Sequence, residues 1–361
     1  MGRLIDNATI AFITSLDINH IVNHTANFFK KEFLETEKDK VFLRNIKKKN
    51  YEYINFLSIS KYRLKTKIVI SFSYSRFFSN DNYYVCDTEK KVSQVHKHLK
   101  QLLQAITGAP DVKKNISLMG IDICNQIKTN FKDKYNTINL LAKVLGEGQT
   151  TLYYSLNAEG RKELQGISLF EDRRAKKEQK TFFKIYNKAK ERLDTNKFEV
   201  GQSETIRAEL SLREYQLKKL GITSIDAVKK NVLDELIKKV LGSKIKKDLE
   251  TVIKKDLEKL IEIVNDKPFS QQDFLKYEYL IFDTEFLKYI FSPEISGMAK
   301  RTGFYHKKLI LEQLNDLEKK GEIVKKYSGN IKDLEKILDK LFKTKVKIKA
   351  TAKGIDVTWL E

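Results

Sequence analysis

Tyr186 ends a run, Thr181 to Tyr186 (TFFKIY), that alternates and is rich in β-formers, and it is followed by Lys188 and Lys190 in NKAKE. A phenol at the mouth of a strand is a nucleophile able to attack a phosphodiester, and ammonium groups two and four residues on would steady the charge that accumulates. The same residues also read as an ordinary strand tyrosine followed by surface lysines. Two carboxylates stand in comparable places, Asp122 in GIDIC and Glu209 in RAEL. On a strand, Asp122 faces the opposite side from Ile121 and Ile123, and if that side is partly buried its charge needs a partner. Oxygen ligands of this kind suit Mg²⁺ or Mn²⁺. Arg207 and Arg213 flank Glu209, so an ion pair is the other reading of that residue. In SYSRFFSNDNYY, Tyr74, Phe77, Phe78, Tyr83 and Tyr84 surround Arg76, a mixture that suits stacking on unpaired bases beside a phosphate contact and equally suits core packing.

Two histidine pairs read differently. His96 and His98 fall in an apparent helix, where positions i and i+2 point about 200° apart and do not share a metal. His20 and His24 do share a helical face, but HIVNH lacks the glutamate of a zinc-protease helix, and both read as packing or surface residues.

The elements that must position these groups alternate in type. Asn7 to Thr14 reads as a strand, Ile18 to Leu34 as a helix with Ile21, Ala26 and Phe29 inward, and Tyr51 to Ile59 and Lys65 to Tyr74 as two strands joined by a basic turn. Glu89 to Ile106 is an amphipathic helix closed by Gly108 and Pro110; Ile116 to Ile123 is the next strand. Thr129 to Leu145 reads as helix, Gln149 to Leu156 as strand, EDRRAKKEQK as a polar connector, and Glu204 to Leu212 as a strand with Ile206, Ala208 and Leu210 on one face. This is an α+β pattern. From Ile225 to Val264 the texture turns to Lys/Glu-rich helix, with Val228, Val232, Leu236 and Val240, then Ile245, Leu249 and Val252, at helical spacing. A boundary near residue 222 separates residues 1–222 from a mainly helical region, 223–361. Within that region, 294–327 reads as a helix-turn-helix or winged-helix unit, or simply as two packed helices and a turn, and Val346 to Thr351 with Ile355 to Leu360 as a terminal hairpin.

The net charge of +21 favours a polyanionic partner, nucleic acid first. Two cysteines are too few for a disulfide framework or a Cys-based zinc module and fit a reducing compartment. The opening MGRLIDNATIAFITS has neither the basic leader and apolar core of a signal peptide nor a myristoylation pattern, and no stretch approaches the length of a membrane span, so the chain reads as cytoplasmic with no membrane partner.

Six pieces in order carry a resemblance: NATIAFIT; ISFSYSRFFSNDNYYV; LMGIDI; TTLYYS; FFKIYNKAKE; and IRAELSLREYQLKKLGI, spread from residue 7 to residue 222. They resemble the replication initiators of filamentous phages and related plasmids, the gene II/X type, and more distantly initiators and relaxases in which the HUH histidine motif is replaced. Gly120 stands here in place of the arginine before Ile-Asp, and SRFFSNDN lacks the glycine of the corresponding segment. The resemblance implies an antiparallel-sheet nuclease domain followed by the helical region, acting at a single-stranded or supercoiled origin through a covalent 5′-phosphotyrosine. It implies catalytic roles for Tyr186 and Lys190, metal ligands Asp122, Glu209 and Glu191 for Mg²⁺ or Mn²⁺, and DNA contacts from Arg76, Lys184, Lys188 and Arg207. Host helicase and polymerase are the implied partners. A conjugative relaxase and a non-cutting DNA-binding replication regulator of the same fold are the alternatives.

Overall fold

A computed structural model describes residues 4–29, 34–37, 40–44, 46, 48–78, 88–109, 112, 116–129, 135–146, 150–156, 162–170, 182–189, 205–229, 235–266, 277, 280–281, 291–293, 300–319, 331–342, 344–351 and 354–360. The fold is mixed α and β, with a large antiparallel sheet and several helices. The chain sorts into two compact units, each assembled from separate stretches: 1–125, 170–183 and 209–235 in the first, 126–169, 184–208 and 236–361 in the second. Lys190, Glu191, Tyr83, Tyr84, the connector 171–180 and the stretch 320–330 lie outside the described residues.

The first unit contains β1 (Leu4–Thr14), α1 (Ile18–Phe29), β2 (Glu35–Glu37), β3 (Lys40–Arg44), β4 (Ile54–Tyr62), β5 (Lys65–Ser73), the short α2 (Tyr74–Phe78), α3 (Glu89–Thr107) and most of β6 (Ile116–Lys128). The second half of β10 (Thr205–Arg213) and α5 (Glu214–Lys219) complete it. Strand order here is β2-β3-β4-β5-β1-β6-β10. Within it, the succession β1-α1-β4-β5-α3-β6 with spatial order β4-β5-β1-β6 is the split β-α-β arrangement. Period-two alternation gives the sheet unlike faces. Ala8, Ile10 and Phe12 lie opposite Phe72, Ile70 and Ile68 of β5 and are buried, while Asn7 and Thr9 lie opposite Ser73 and Ser71 on the other face.

Two amphipathic helices supply the rest of this core. On α1, Ile21, Thr25 and Phe29 are buried, so Thr25, four residues from both Ile21 and Phe29, takes the inward position rather than Ala26. α1 packs against α3, which buries Val95, Leu99, Leu102, Leu103 and Ile106, each worth about 1.5–3 kcal/mol on full burial. Both helices begin at a side-chain cap, Asp17 Oδ1 accepting from Asn19 N at 2.7 Å and Thr88 Oγ1 from Lys91 N at 3.3 Å. α3 ends at Gly108, whose φ of +66° is the left-handed C-cap that glycine favours.

In the second unit, β7 (Thr150–Leu156) and most of β8 (Lys162–Phe170) and β9 (Phe182–Asn187) follow the first half of β10 in the order β10-β9-β8-β7. Helices α4 (Tyr135–Gly146) and α6 (Ser243–Asp266) pack together and are tied by Lys143 Nζ to Asp256 Oδ2 at 2.8 Å. Beyond them come α7 (Lys300–Lys319), α8 (Ile331–Phe342) and the hairpin of β11 (Lys345–Thr351) and β12 (Gly354–Leu360), the hairpin matching the sequence reading. α8 packs on β11, and Glu335 Oε1 accepts from Ile348 N at 2.7 Å.

Three strands escape the sequence reading: β2, β3 and β8, the first two short, the last carrying Gly166 in its middle, which interrupts the run of β-forming residues. Residues 225–227 form a 3₁₀ turn capped by Ser224 rather than the start of a long helix, and Lys238–Gly242 winds as a π-turn. On α6 the buried stripe is Ile245, Leu249, Ile253, Leu257 and Leu260, so Ile253 replaces Val252. Among the described residues no helix is long and apolar enough to cross a membrane.

Candidate functional site

The polar face of the first unit opens into a cleft of about 390 Å³, lined by Asn7, Thr9, Asn55, Ser71, Ser73, Arg76, Gly120, Asp122 and Arg213. Its position follows from register: Asn7 pairs with Ser73 on one side and Asp122 on the other, and Thr9 with Ser71 and Gly120. Between Thr9 and Ile10 the β1–β6 register slips by one residue, a bulge that re-aims β6 next to this cleft. Asp122 is thus held where strand parity put it, on the face away from Ile121 and Ile123. Its side chain is 17% exposed. Oδ2 accepts from Asn7 Nδ2 at 3.4 Å, whereas Oδ1 is buried with no hydrogen bond among the described residues. Arg213 Nη1 lies 4.0 Å from Oδ1. An orphaned carboxylate oxygen fits one coordination position of a hard divalent cation. Among the described residues no group of three His, Cys, Asp or Glu side chains is assembled to complete such a site.

Arg76 lines the same cleft and donates from Nη1 to Asn55 Oδ1 at 3.2 Å. Arg213, which the sequence set beside Glu209, reaches Asp122 instead. Glu209 lies on β10 of this unit at 4% exposure, and the whole of Thr205–Leu212 is buried on both faces.

Tyr186 belongs to the second unit, half-buried near the end of β9. Lys184 Nζ lies 4.8 Å and Lys188 Nζ 5.7 Å from the centroid of its ring. Lys188 begins the helical turn after β9 and is 1% exposed; Lys184 is half-buried. Gly166 on the neighbouring β8 makes room for the tyrosine: a Cβ there would meet Ile185 O at 2.7 Å and Tyr186 Cβ at 2.8 Å. A lone glycine inside a strand is the signal for such a close approach. Arg207 is fully buried in the same unit, with Nε and Nη2 donating to Gln126 Oε1 at 3.1 and 2.9 Å. Arg207 and Lys188 are therefore internal cations, where the sequence expected surface contacts.

The histidines pack. His96 Nε2 lies 2.8 Å from the Tyr74 hydroxyl, and His98 Nδ1 2.9 Å from that of Tyr53. Burial pushes the His96 imidazole down to about 4, with Asp226 pulling the other way and Lys100 adding to the drop, and burial lowers His98 too. Tyr53 is raised by burial and by Tyr51 beside it. His20 and His24 lie against Gly108, with ring centroids 4.5 Å apart and His20 Nε2 3.3 Å from Thr107 O.

Sequence reasoning missed Asn7, Thr9, Asn55, Ser71 and Ser73 as cleft residues. Alternating polar residues on a strand ordinarily mark a solvated face, and only the strand order gathers these from β1, β4 and β5. No family model and no curated protein matches this chain.

Proposed function

We propose that this chain nicks and rejoins DNA as the initiator of rolling-circle replication for a phage or plasmid, acting in the cytoplasm on a single-stranded or supercoiled origin. The reading joins the resemblance of residues 7 to 222 to one observation that carries it: a half-buried strand-end tyrosine with two ammonium groups within 4.8 and 5.7 Å of its ring. Those ammonium groups would steady the negative charge that gathers on a phosphate under attack. The tyrosine oxygen attacks the phosphorus and gives up its proton, the bond from phosphorus to the 3′ oxygen breaks, and the 3′ oxygen leaves and takes up a proton. Because the 5′ phosphate is then esterified to tyrosine, the reverse attack by a 3′ hydroxyl rejoins the strand without further energy.

Within the first unit Asp122, through Oδ1, is the residue that would hold Mg²⁺ or Mn²⁺, and such an ion would supply Lewis-acid chemistry when bound. Net charge of +21 supplies sequence-independent affinity, and host helicase and polymerase are the partners such an initiator would recruit. A second reading, a DNA-binding replication regulator that does not cut, is favoured by Arg213 lying 4.0 Å from Asp122 Oδ1, where it competes with a metal ion.

The test is incubation with supercoiled plasmid carrying the intergenic DNA beside the gene, with Mg²⁺ or Mn²⁺. The expected product is a relaxed circle carrying covalently attached protein, absent for Tyr186→Phe, while DNA affinity stays within a few-fold. Binding without any nick supports the regulator; undiminished nicking by Tyr186→Phe removes this tyrosine from the chemistry.

A further inference from the structure

The cleft on the polar face has a composition unlike that of a base-stacking groove. Among the described residues that line it there is no aromatic side chain, and hydroxyls, amides and two guanidinium groups take their place. Bases are held by stacking, whereas the sugar-phosphate backbone is held by charge-assisted hydrogen bonds from arginine and by neutral donors. The two guanidinium groups arrive from different elements, Arg76 from α2 and Arg213 from the end of β10, and each is oriented within the cleft. Arg76 is anchored on Asn55 Oδ1 at 3.2 Å, and Arg213 faces Asp122 at 4.0 Å while remaining 46% exposed.

Gly120 explains how Arg213 reaches this place. A Cβ at position 120 would lie 3.1 Å from Arg213 Nη1 and 3.7 Å from its Cδ, so the space that a side chain on β6 would fill is taken by the arginine of the neighbouring strand. Backbone leaves room there, since Leu212 O would stand 3.4 Å from the same Cβ, an ordinary contact.

We infer that Arg76 and Arg213 form a two-guanidinium clamp for a phosphodiester of a DNA strand, Arg213 entering the cleft through the gap left by Gly120. Asp122 sets the aim of Arg213, and one positive charge remains in excess for the phosphate. Because the grip is on the backbone, it does not discriminate between bases. The assignment rests on the DNA-binding part of the function proposed above and is independent of cutting.

The experiment uses the full chain carrying Tyr186→Phe, so that no strand is cut, and measures fluorescence anisotropy with labelled oligothymidylate and oligodeoxyadenylate over a series of salt concentrations. Arg213→Ala is expected to weaken both oligonucleotides about tenfold and to reduce the slope of log affinity against log salt by about 0.7, the value of one lost phosphate contact on a single strand. Adding Gly120→Arg to Arg213→Ala returns a guanidinium to the same space from the other strand and is expected to restore the slope. Unchanged affinity and slope in Arg213→Ala overturn the clamp, as does a loss confined to one base composition. Loss without restoration by Gly120→Arg overturns the shared-space assignment. If Arg213→Ala does not melt cooperatively, Arg213→Gln is read by the same slope criterion. In the parent chain, cutting with no slope change in the variant sinks the clamp alone, whereas a slope change in a parent that never cuts sinks only the nuclease reading.

Discussion

The two units use the same residue type in opposite ways. In the first, Arg76 and Arg213 sit in an open polar cleft, Arg213 nearly half exposed and facing Asp122. In the second, Arg207 and Lys188 are 0% and 1% exposed, Arg207 closed onto Gln126 and Lys188 beside the ring of Tyr186. Removing a cation from water costs several kcal/mol, which a buried site recovers only through its own hydrogen bonds and neighbouring charges. A cation in a cleft keeps part of its hydration and can exchange it for a ligand's phosphate. Basic composition therefore overstates the binding surface: a chain with 69 lysines and arginines places some of them where they hold the protein rather than the partner. The first unit repeats the contrast within itself, since the cleft face is polar and open while the helix-covered side shelters His96 at 8% exposure.

The sharpest way to break this comparison is Arg207→Ala. It removes both hydrogen bonds to Gln126 Oε1 and opens a cavity the size of a guanidinium chain, and is expected to cost about 3–4 kcal/mol of stability. Denaturant titration reads the loss, and the salt dependence of DNA binding by the folded fraction is expected to stay unchanged. A reduced salt slope with unaltered stability would make Arg207 a ligand contact like Arg213 and erase the distinction.

Next in size is the pH response of the sheltered histidine. The native chain holds His96 at about 4, against 6.5 in an unfolded chain, so the unfolded state takes up the proton first as pH falls. Stability from this group is complete above about 6.5 and declines by about 3 kcal/mol as pH drops through that window to about 4. His98, also lowered, adds in the same direction. Thermal melts of wild type and His96→Gln between pH 7 and pH 4 check it, and the variant is expected to show the flatter profile; parallel curves would mean that His96 is neither buried nor neutral in the native protein.

Smallest is Gly166→Ala. Its Cβ would press on Ile185 O at 2.7 Å and Tyr186 Cβ at 2.8 Å, and because these are backbone and near-backbone atoms, β9 must shift. Overpacking of this kind costs about 2 kcal/mol. The melting temperature falls accordingly, and the displaced tyrosine is expected to slow any Tyr186-dependent nicking while leaving the Arg213-dependent salt slope intact. A change in that slope would mean that the tyrosine and the cleft are coupled, and the contrast between the two units would lose its footing.

Local pattern alone determined the longer elements. Period-two alternation in NATIAFIT and KTKIVISFS, the 3.6-residue spacing of α3 with Gly108 after it, and the terminal hairpin all appear where the residues put them, because each depends on neighbours a few positions away. Sequence also marked Asp122 by parity, as the one carboxylate of an apolar strand, and placed His96 and His98 on a helix. Strand order decided the rest. Nothing in the sequence says that β1 lies between β5 and β6, yet that adjacency gathers Asn7, Thr9, Ser71, Ser73 and Asp122 into one cleft. Nor does the sequence choose which arginine Asp122 faces. The neighbouring strand brings Arg213 to it through the space of a missing side chain at Gly120, while Arg207, earlier on the same strand, turns into the interior. Burial and charge pairing are sums over neighbours distant in sequence, so they exist only once the sheet is assembled.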